Sequence, residues 1–185
     1  MNPKIVVIAG WARSGKDTFV NQLIKNDNSI YYWSTIDPFK SFLESGLSLR
    51  YNGSPEMREL LSDLKSCVLK YSKTHFIYMI EEYIETHLGK FSHIVTQMRE
   101  KDQLDLFKNH FRENVILVYI TRPNKKDESI TVLEPNIGSL WQYIYVDFDV
   151  LIENDGSIED LQKKADEFYK EYLAISTPEI APMTI

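Results

Sequence analysis

A chain of 185 residues with 43% hydrophobic and 26% charged side chains is long enough to bury one full core and reads as a single domain. Its formal net charge of −6 argues against a general affinity for polyanions, so no nucleic-acid partner is expected and any phosphate ligand must be held by a few local cations. Cys67 is the only cysteine, which excludes an intramolecular disulfide and points to a reducing, cytoplasmic setting; no run approaches the about 20 apolar residues of a membrane span, so no membrane partner is expected.

Apolar strands alternate with amphipathic helices along the chain. Residues 5–9 (IVVIA) form a continuous apolar run closed by Gly10, as expected for a strand buried on both faces. Phe19, Val20, Leu23 and Ile24 then recur at helical spacing. Residues 29–36 (SIYYWSTI) are aromatic and β-branched and read as a second strand. Two helices follow. The first has the stripe Met57, Leu60, Leu61, Leu64 and Val68, with Glu56, Arg58, Glu59, Asp63 and Lys65 turned to solvent and Cys67 packed on the apolar side. The second has the stripe Phe76, Ile77, Ile80, Tyr83, Ile84 and Leu88. A third strand is expected over 91–98, a short helix around Leu104, Phe107 and Phe111, and a fourth strand over 115–120 (VILVYI). Residues 122–136 are polar and charged, as in an exposed loop. A fifth strand is expected over 145–152, then a turn at 154–157 (NDGS), a capping box of Ser157 and Asp160, and a last helix through Ile158, Leu161, Ala165, Phe168 and Tyr172. Strands joined by helices rather than hairpins imply a parallel five-stranded sheet with helices on both faces, a three-layer α/β class. Ligands of such sheets sit at the carboxyl ends of the strands.

The chemistry begins at VVIAGWARSGKDTF (6–19), where Gly10-x4-Gly15-Lys16 lies between the first strand and the first helix. Successive backbone N–H groups of such a turn, with the positive end of the helix, cradle a phosphate. The loop from Gly10 through Ala12, Arg13, Ser14, Gly15, Lys16, Asp17 and Thr18 is therefore the candidate nucleotide-binding segment. Lys16 supplies a mobile cation for the β- and γ-phosphates, and Thr18 a hydroxyl for the α-phosphate. Asp17 stands where such loops usually carry the magnesium-binding hydroxyl. It either holds Mg2+, directly or through water, or only favours the helix N-terminus electrostatically.

SGKDT resembles the loop of the P-loop nucleoside monophosphate kinase group. Adenylate kinases in that group read Gly-Lys-Gly-Thr, so the hydroxyl is dispensable there, and Gly-Lys-Asp-Thr recurs in bacteriophage deoxynucleoside monophosphate kinases and in animal phosphomevalonate kinases. STIDPFK (34–40), RELLSDLK (58–65), VTQMREKDQLDLFK (95–108) and LIENDGSIEDL (151–161) are similar in order and spacing to later segments of the phage-type enzymes, and the resemblance spans about residues 4–172. It implies a P-loop NTPase fold over 1–175, an acceptor-binding helical region over about 38–90 and a lid over about 122–136; the tail from Ser176, with Pro178 and Pro182, reads as disordered over 176–185 from its own composition. The resemblance also implies an ATP- and Mg2+-dependent kinase acting on small-molecule nucleotide substrates.

Site roles follow from that resemblance. Lys16, Asp37, Arg99 and Arg122 would act on the transferring phosphoryl group, and Asp37, Lys40, Arg58 and Arg99 would meet the acceptor. Asp17 and Asp37 are the candidate metal ligands; Asp37-Pro38 could equally stop a strand and start a helix. Lys125 and Lys126 would join Arg122 on the lid. One departure stands out: the phage-type group ends its third strand in aspartate before x-Arg, whereas this chain has Gln97, Met98 and Arg99. The alternatives to a nucleoside monophosphate acceptor are another small metabolite, or nucleotide binding without turnover.

Overall fold

The computed structural model describes residues 3–11, 13–87, 89–98, 100–123 and 146–174. Five strands, β1 (Lys4–Ala9), β2 (Tyr31–Ser34), β3 (His93–Gln97), β4 (Val115–Thr121) and β5 (Val150–Glu153), form one sheet in the order β2-β3-β1-β4-β5. Every pairing is parallel. Among the described residues, six α-helices connect or cover them: α1 (Lys16–Asn26), α2 (Asp37–Gly46), α3 (Pro55–Tyr71), α4 (His75–Thr86), α5 (Lys101–Phe111) and α6 (Ile158–Phe168).

The alternation of side chains along a strand sorts the core into two layers. Ile5, Val7 and Ala9 of β1 point to one face, where α2, α3, α4 and α5 cover them with Phe39, Leu43, Leu61, Phe76, Ile80, Leu104 and Phe107. Val6 and Ile8 point to the other face, under Phe19, Val20 and Leu23 of α1 and Leu161, Ala165 and Phe168 of α6. The rings of Phe19 and Phe168 meet edge to face, 5.5 Å between centroids, and fasten α1 to α6. The three-layer α/β/α arrangement with a parallel five-stranded sheet is thus the observed one. Among the described residues, no helix is long and apolar enough to cross a membrane.

The differences from expectation have local causes. β2 begins two residues late because Ser29 is tied into a turn, its N–H and hydroxyl both donating to Asp27 Oδ1. β5 begins at Val150 rather than near 145 because the Asp149 carboxylate itself accepts the Leu117 N–H, at 2.8 Å, in place of a backbone carbonyl. α2, for which the sequence offered no apolar stripe, starts at Asp37-Pro38, as the helix-start alternative for that pair has it, and is held by the buried Phe39 and Leu43. On α3, Cys67 is exposed rather than packed. Lys65 is not a solvated charge: its side chain is 13% exposed, paired with Glu100 at 2.7 Å and donating to Thr35 Oγ1 at 3.3 Å. The lid expected over 122–136 lies outside the described residues from 124 onward, with Lys125 and Lys126, and so does the tail over 176–185.

Candidate functional site

The glycine loop leaves the central strand, with β3 on one side and β4 on the other. Its backbone could not be built from other residues. Gly10 has φ +144° and a Cβ there would lie 2.4 Å from the Ile120 carbonyl oxygen; Gly15 has φ +103° and a Cβ there would lie 2.6 Å from Asn154 Nδ2 and from Leu161 Cδ2. Both glycines are therefore demanded by close packing against β4, β5 and α6, as well as by backbone angles that side chains disfavour. Arg13 carries φ +59° without being glycine, a local strain of the kind that collects at functional loops. Gly15 caps α1, so the helix points its unpaired N–H groups and positive end out of the loop.

Lys16 is buried, 5% exposed, and its ammonium donates to the carbonyls of Gly10 at 3.0 Å and Trp11 at 2.6 Å. The side chain is folded back over its own loop. Ser14 is buried with its hydroxyl unpaired by any described residue, while the Asn154 side chain donates to its carbonyl at 2.8 Å. Beside the loop lies a cavity of about 400 Å3, lined by Arg13, Gly15, Lys16, Asp17 and Thr18 from the loop. Gln97 comes from the end of β3, Arg122 from the end of β4, and Asn154 with Gly156 to Ile158 from the turn after β5. Among the described residues, three cations and one carboxylate thus face this hollow in a chain of net charge −6.

The carboxylate has a specific partner. Gln97 Nε2 donates to Asp17 Oδ1 at 2.8 Å across 80 residues of sequence. The backbone of Gln97 is fixed from behind, its carbonyl accepting from Thr35 Oγ1 at 3.5 Å and Thr35 in turn accepting from Lys65.

The acceptor-side candidates lie elsewhere. Asp37 and Lys40 pair with each other at 3.0 Å, with Lys40 also over the Tyr51 ring, and neither lines the cavity. The reason is strand order: β3 stands between β2 and β1, so the end of β2 is two strand spacings, about 10 Å, from the loop. Tyr32 bridges part of that gap. Burial raises its phenol above the usual value, and the carboxylates of Asp17 and Asp37 push in the same direction. Arg58 is exposed on the first turn of α3 and does not line the cavity. Ala12 and Arg99 lie outside the described residues.

No protein-family model matches the chain, and no curated protein matches it. Solved structures do. A sugar kinase from Janibacter sp. HTCC2649, determined without ligand, superposes with a TM-score of 0.50 at 14% identity, covering 95% of this chain and 99% of its own. Dephospho-CoA kinase from Campylobacter jejuni superposes with a TM-score of 0.54 at 13% identity, covering 92% of this chain and 98% of its own. The fold is that of the P-loop kinases.

Within this P-loop fold, Asn154 is the residue that sequence reasoning missed. Residues 154–157 read as a turn, which they are, but Asn154 also follows directly on a parallel strand, where ligand-side residues are to be sought. Its side chain is buried, 7% exposed, and braces the P-loop. Lys65 was the second, hidden because a lysine among solvent-facing neighbours gives no sign of the carboxylate it will meet.

Proposed function

We propose that this chain is an ATP-dependent kinase whose acceptor is a nucleoside or deoxynucleoside monophosphate. The observation that carries the reading is the convergence of Arg13, Lys16 and Arg122 on one hollow at the N-terminus of α1. A helix start plus three cations suits a polyphosphate. Both solved structures described above are kinases by name, which supports phosphoryl transfer as the chemistry. The SGKDT loop, with its likeness to phage-type enzymes, supports the acceptor class.

The residues present suit ATP with Mg2+. The unpaired Ser14 hydroxyl sits inside the loop, and Asp17 and Thr18 present hard oxygen donors to the same hollow. Magnesium takes one or two carboxylates along with phosphate and water oxygens. When bound, ATP supplies the γ-phosphoryl group and magnesium offsets part of its charge.

The protein's part is positioning and charge neutralisation. Lys16 leaves the Gly10 and Trp11 carbonyls for the phosphates, and Arg13 and Arg122 flank the transferring group. An acceptor phosphate is already ionised at neutral pH, so no general base is needed. Its oxygen forms the new bond to the γ-phosphorus while the bond to the bridging oxygen breaks, and ADP departs. Asp37, two strand spacings from the loop, would reach a metal bound there only through water. Lys40, Arg58 and Arg99 grip the acceptor's phosphate, for which Lys40 must release Asp37.

The test is a magnesium-dependent ADP-release assay over the common nucleoside and deoxynucleoside monophosphates. Turnover on at least one, lost in Lys16→Ala, is the expected result. Saturable nucleotide binding with turnover on none would make the chain a binding module instead.

A further inference from the structure

Ligands of a parallel sheet gather at the carboxyl ends of its strands. Past the ends of β2 and β3 stands Lys65, a cation that does not line the nucleotide hollow. It lies about two turns beyond Arg58 on α3. Arg58 is exposed, whereas the Lys65 ammonium meets Glu100 Oε1 at 2.7 Å and Thr35 Oγ1 at 3.3 Å, and lies 5.5 Å from the centre of the Phe76 ring. Thr35 follows β2 and Glu100 follows β3. The Thr35 hydroxyl accepts from Lys65 and donates to the Gln97 carbonyl, so two hydrogen bonds connect this cation to a residue of the hollow's wall. The ion pair is lopsided: the lysine side chain is 13% exposed and the glutamate side chain 36%. Glu100 also makes no side-chain cap on α5. The anion can therefore swing out into water, while the cation is held between a hydroxyl and an aromatic ring.

We propose that Lys65 is a specificity-determining cation for the acceptor and that Glu100 is its resident counter-anion, which a phosphate monoester displaces on binding. This rests on the acceptor reading above and adds a device that selects the acceptor's chemical class. A cation so nearly buried needs an opposite charge beside it, and Glu100 supplies one while the acceptor is absent. The same carboxylate sets the threshold for exchange. An acceptor offering a carboxylate would replace one single negative charge by another and gain nothing. A neutral hydroxyl acceptor would leave Lys65 with Glu100. A phosphate monoester carries about −1.5 to −2 charges at neutral pH and three acceptor oxygens, and so outcompetes the resident carboxylate. Thr35 keeps the ammonium aimed during the exchange, because its proton is committed to the Gln97 carbonyl and its lone pair faces Lys65.

The experiment measures binding without turnover. The full chain is saturated with ADP and Mg2+, which fills the nucleotide hollow, and is titrated calorimetrically with the common deoxynucleoside monophosphates and the matching deoxynucleosides. The proteins are the wild type, Glu100→Gln, Lys65→Met and the double variant. The wild type binds one or more of the monophosphates, and the matching nucleoside about tenfold more weakly or worse. Glu100→Gln tightens the monophosphate by about threefold, the scale of a partly exposed ion pair that no longer has to be broken. Lys65→Met weakens it by about tenfold or more, and in that background Glu100→Gln brings no gain. Both single variants lose the same ion pair and melt lower, yet their affinities move in opposite directions, which a purely structural pair does not produce. ADP affinity stays within about twofold of wild type throughout. Unchanged or weaker monophosphate binding in Glu100→Gln overturns the proposal, and that result decides the matter even where Lys65→Met fails to fold. Full monophosphate affinity in a folded Lys65→Met overturns it too. Wild-type monophosphate binding alongside either result leaves the acceptor reading standing while this one falls. ADP binding with no monophosphate bound overturns both.

Discussion

The side-chain amide of Asn154 donates to the backbone carbonyl of Ser14 at 2.8 Å, joining the end of the last strand to the middle of the P-loop. The bond is buried, and the Asn154 N–H meanwhile continues the sheet by donating to the Thr121 carbonyl at 2.7 Å. Asn154→Ala should leave the Ser14 carbonyl unsatisfied and remove one wall of the Gly15 packing. The expected cost is about 1–3 kcal/mol, seen as a lower melting temperature and a weaker nucleotide affinity together. A variant that melts like the wild type would show that the loop holds its shape without this brace.

The two loop glycines should differ in how badly they tolerate a methyl group. At Gly10 the new atom meets the backbone of β4, which cannot move without breaking the sheet; at Gly15 it meets the side chains of Asn154 and Leu161. Both pay a further penalty of about 1–3 kcal/mol for the left-handed backbone. Gly10→Ala is therefore expected to be the more destabilising of the two by urea titration, and to approach loss of the fold. The reverse ranking would mean that β4 gives way more easily than the β5–α6 side chains.

Stability should fall as the solution becomes mildly acidic, because of His93. The ring is buried, 4% exposed, with Nδ1 unpaired by any described residue, and burial holds its pKa below the usual 6.5 against the opposing pull of the Asp27 carboxylate. With the folded value below the unfolded one, the unfolded chain takes up the proton first. The contribution is therefore complete above about pH 6.5 and is lost as pH falls from there toward the folded value. Asp27 adds a separate loss at lower pH. Its burial favours the neutral form, but hydrogen bonds from Ser29 and Ser92 outweigh that and depress its pKa, so its stabilisation disappears as pH drops below the ordinary carboxylate range. Urea midpoints between pH 8 and pH 5 should decline in the wild type and decline less in His93→Gln; parallel curves would exclude His93 as the cause.

Lys65 and Glu100 should be energetically coupled beyond an ordinary surface pair. The lysine side chain is only 13% exposed, although the carboxylate, at 36%, still meets solvent that screens the attraction. A double-mutant cycle with Lys65→Met and Glu100→Gln is expected to give a coupling of about 1 kcal/mol, the upper end for partly exposed pairs. Strict additivity would reduce Lys65 to a packing residue against Phe76, over whose ring its ammonium also lies.

What could be read from the sequence followed from how local each signal is. β1 and β4 were legible almost to the residue because strands buried on both faces are apolar throughout. The edge strands β2 and β5 were drawn too long, since Asp27 and Asp149 end them through side-chain bonds that composition does not display. α2 was legible only as a helix start at Asp37-Pro38, because only Phe39 and Leu43 face the core, one turn apart, too little to register as a stripe. In the site, Gly10 to Thr18 announces itself within nine consecutive residues. The Asp17–Gln97 contact and the Asn154 brace are products of strand order, which places β3 and then β4 and β5 beside the loop, and a single sequence carries no statement of that order.

The seating of α1 against α6 also has a consequence in time. Translation at about 5–20 residues per second spends roughly 7–28 s on the 140 residues between Ser14 and Asn154. Through that interval the P-loop exists on the nascent chain as a turn without its brace, and Phe19, Val20 and Leu23 lack the helix that will cover them. The apolar face of α1 is then a surface for chaperones, and competence to hold a nucleotide arrives only when the last strand and helix have left the ribosome.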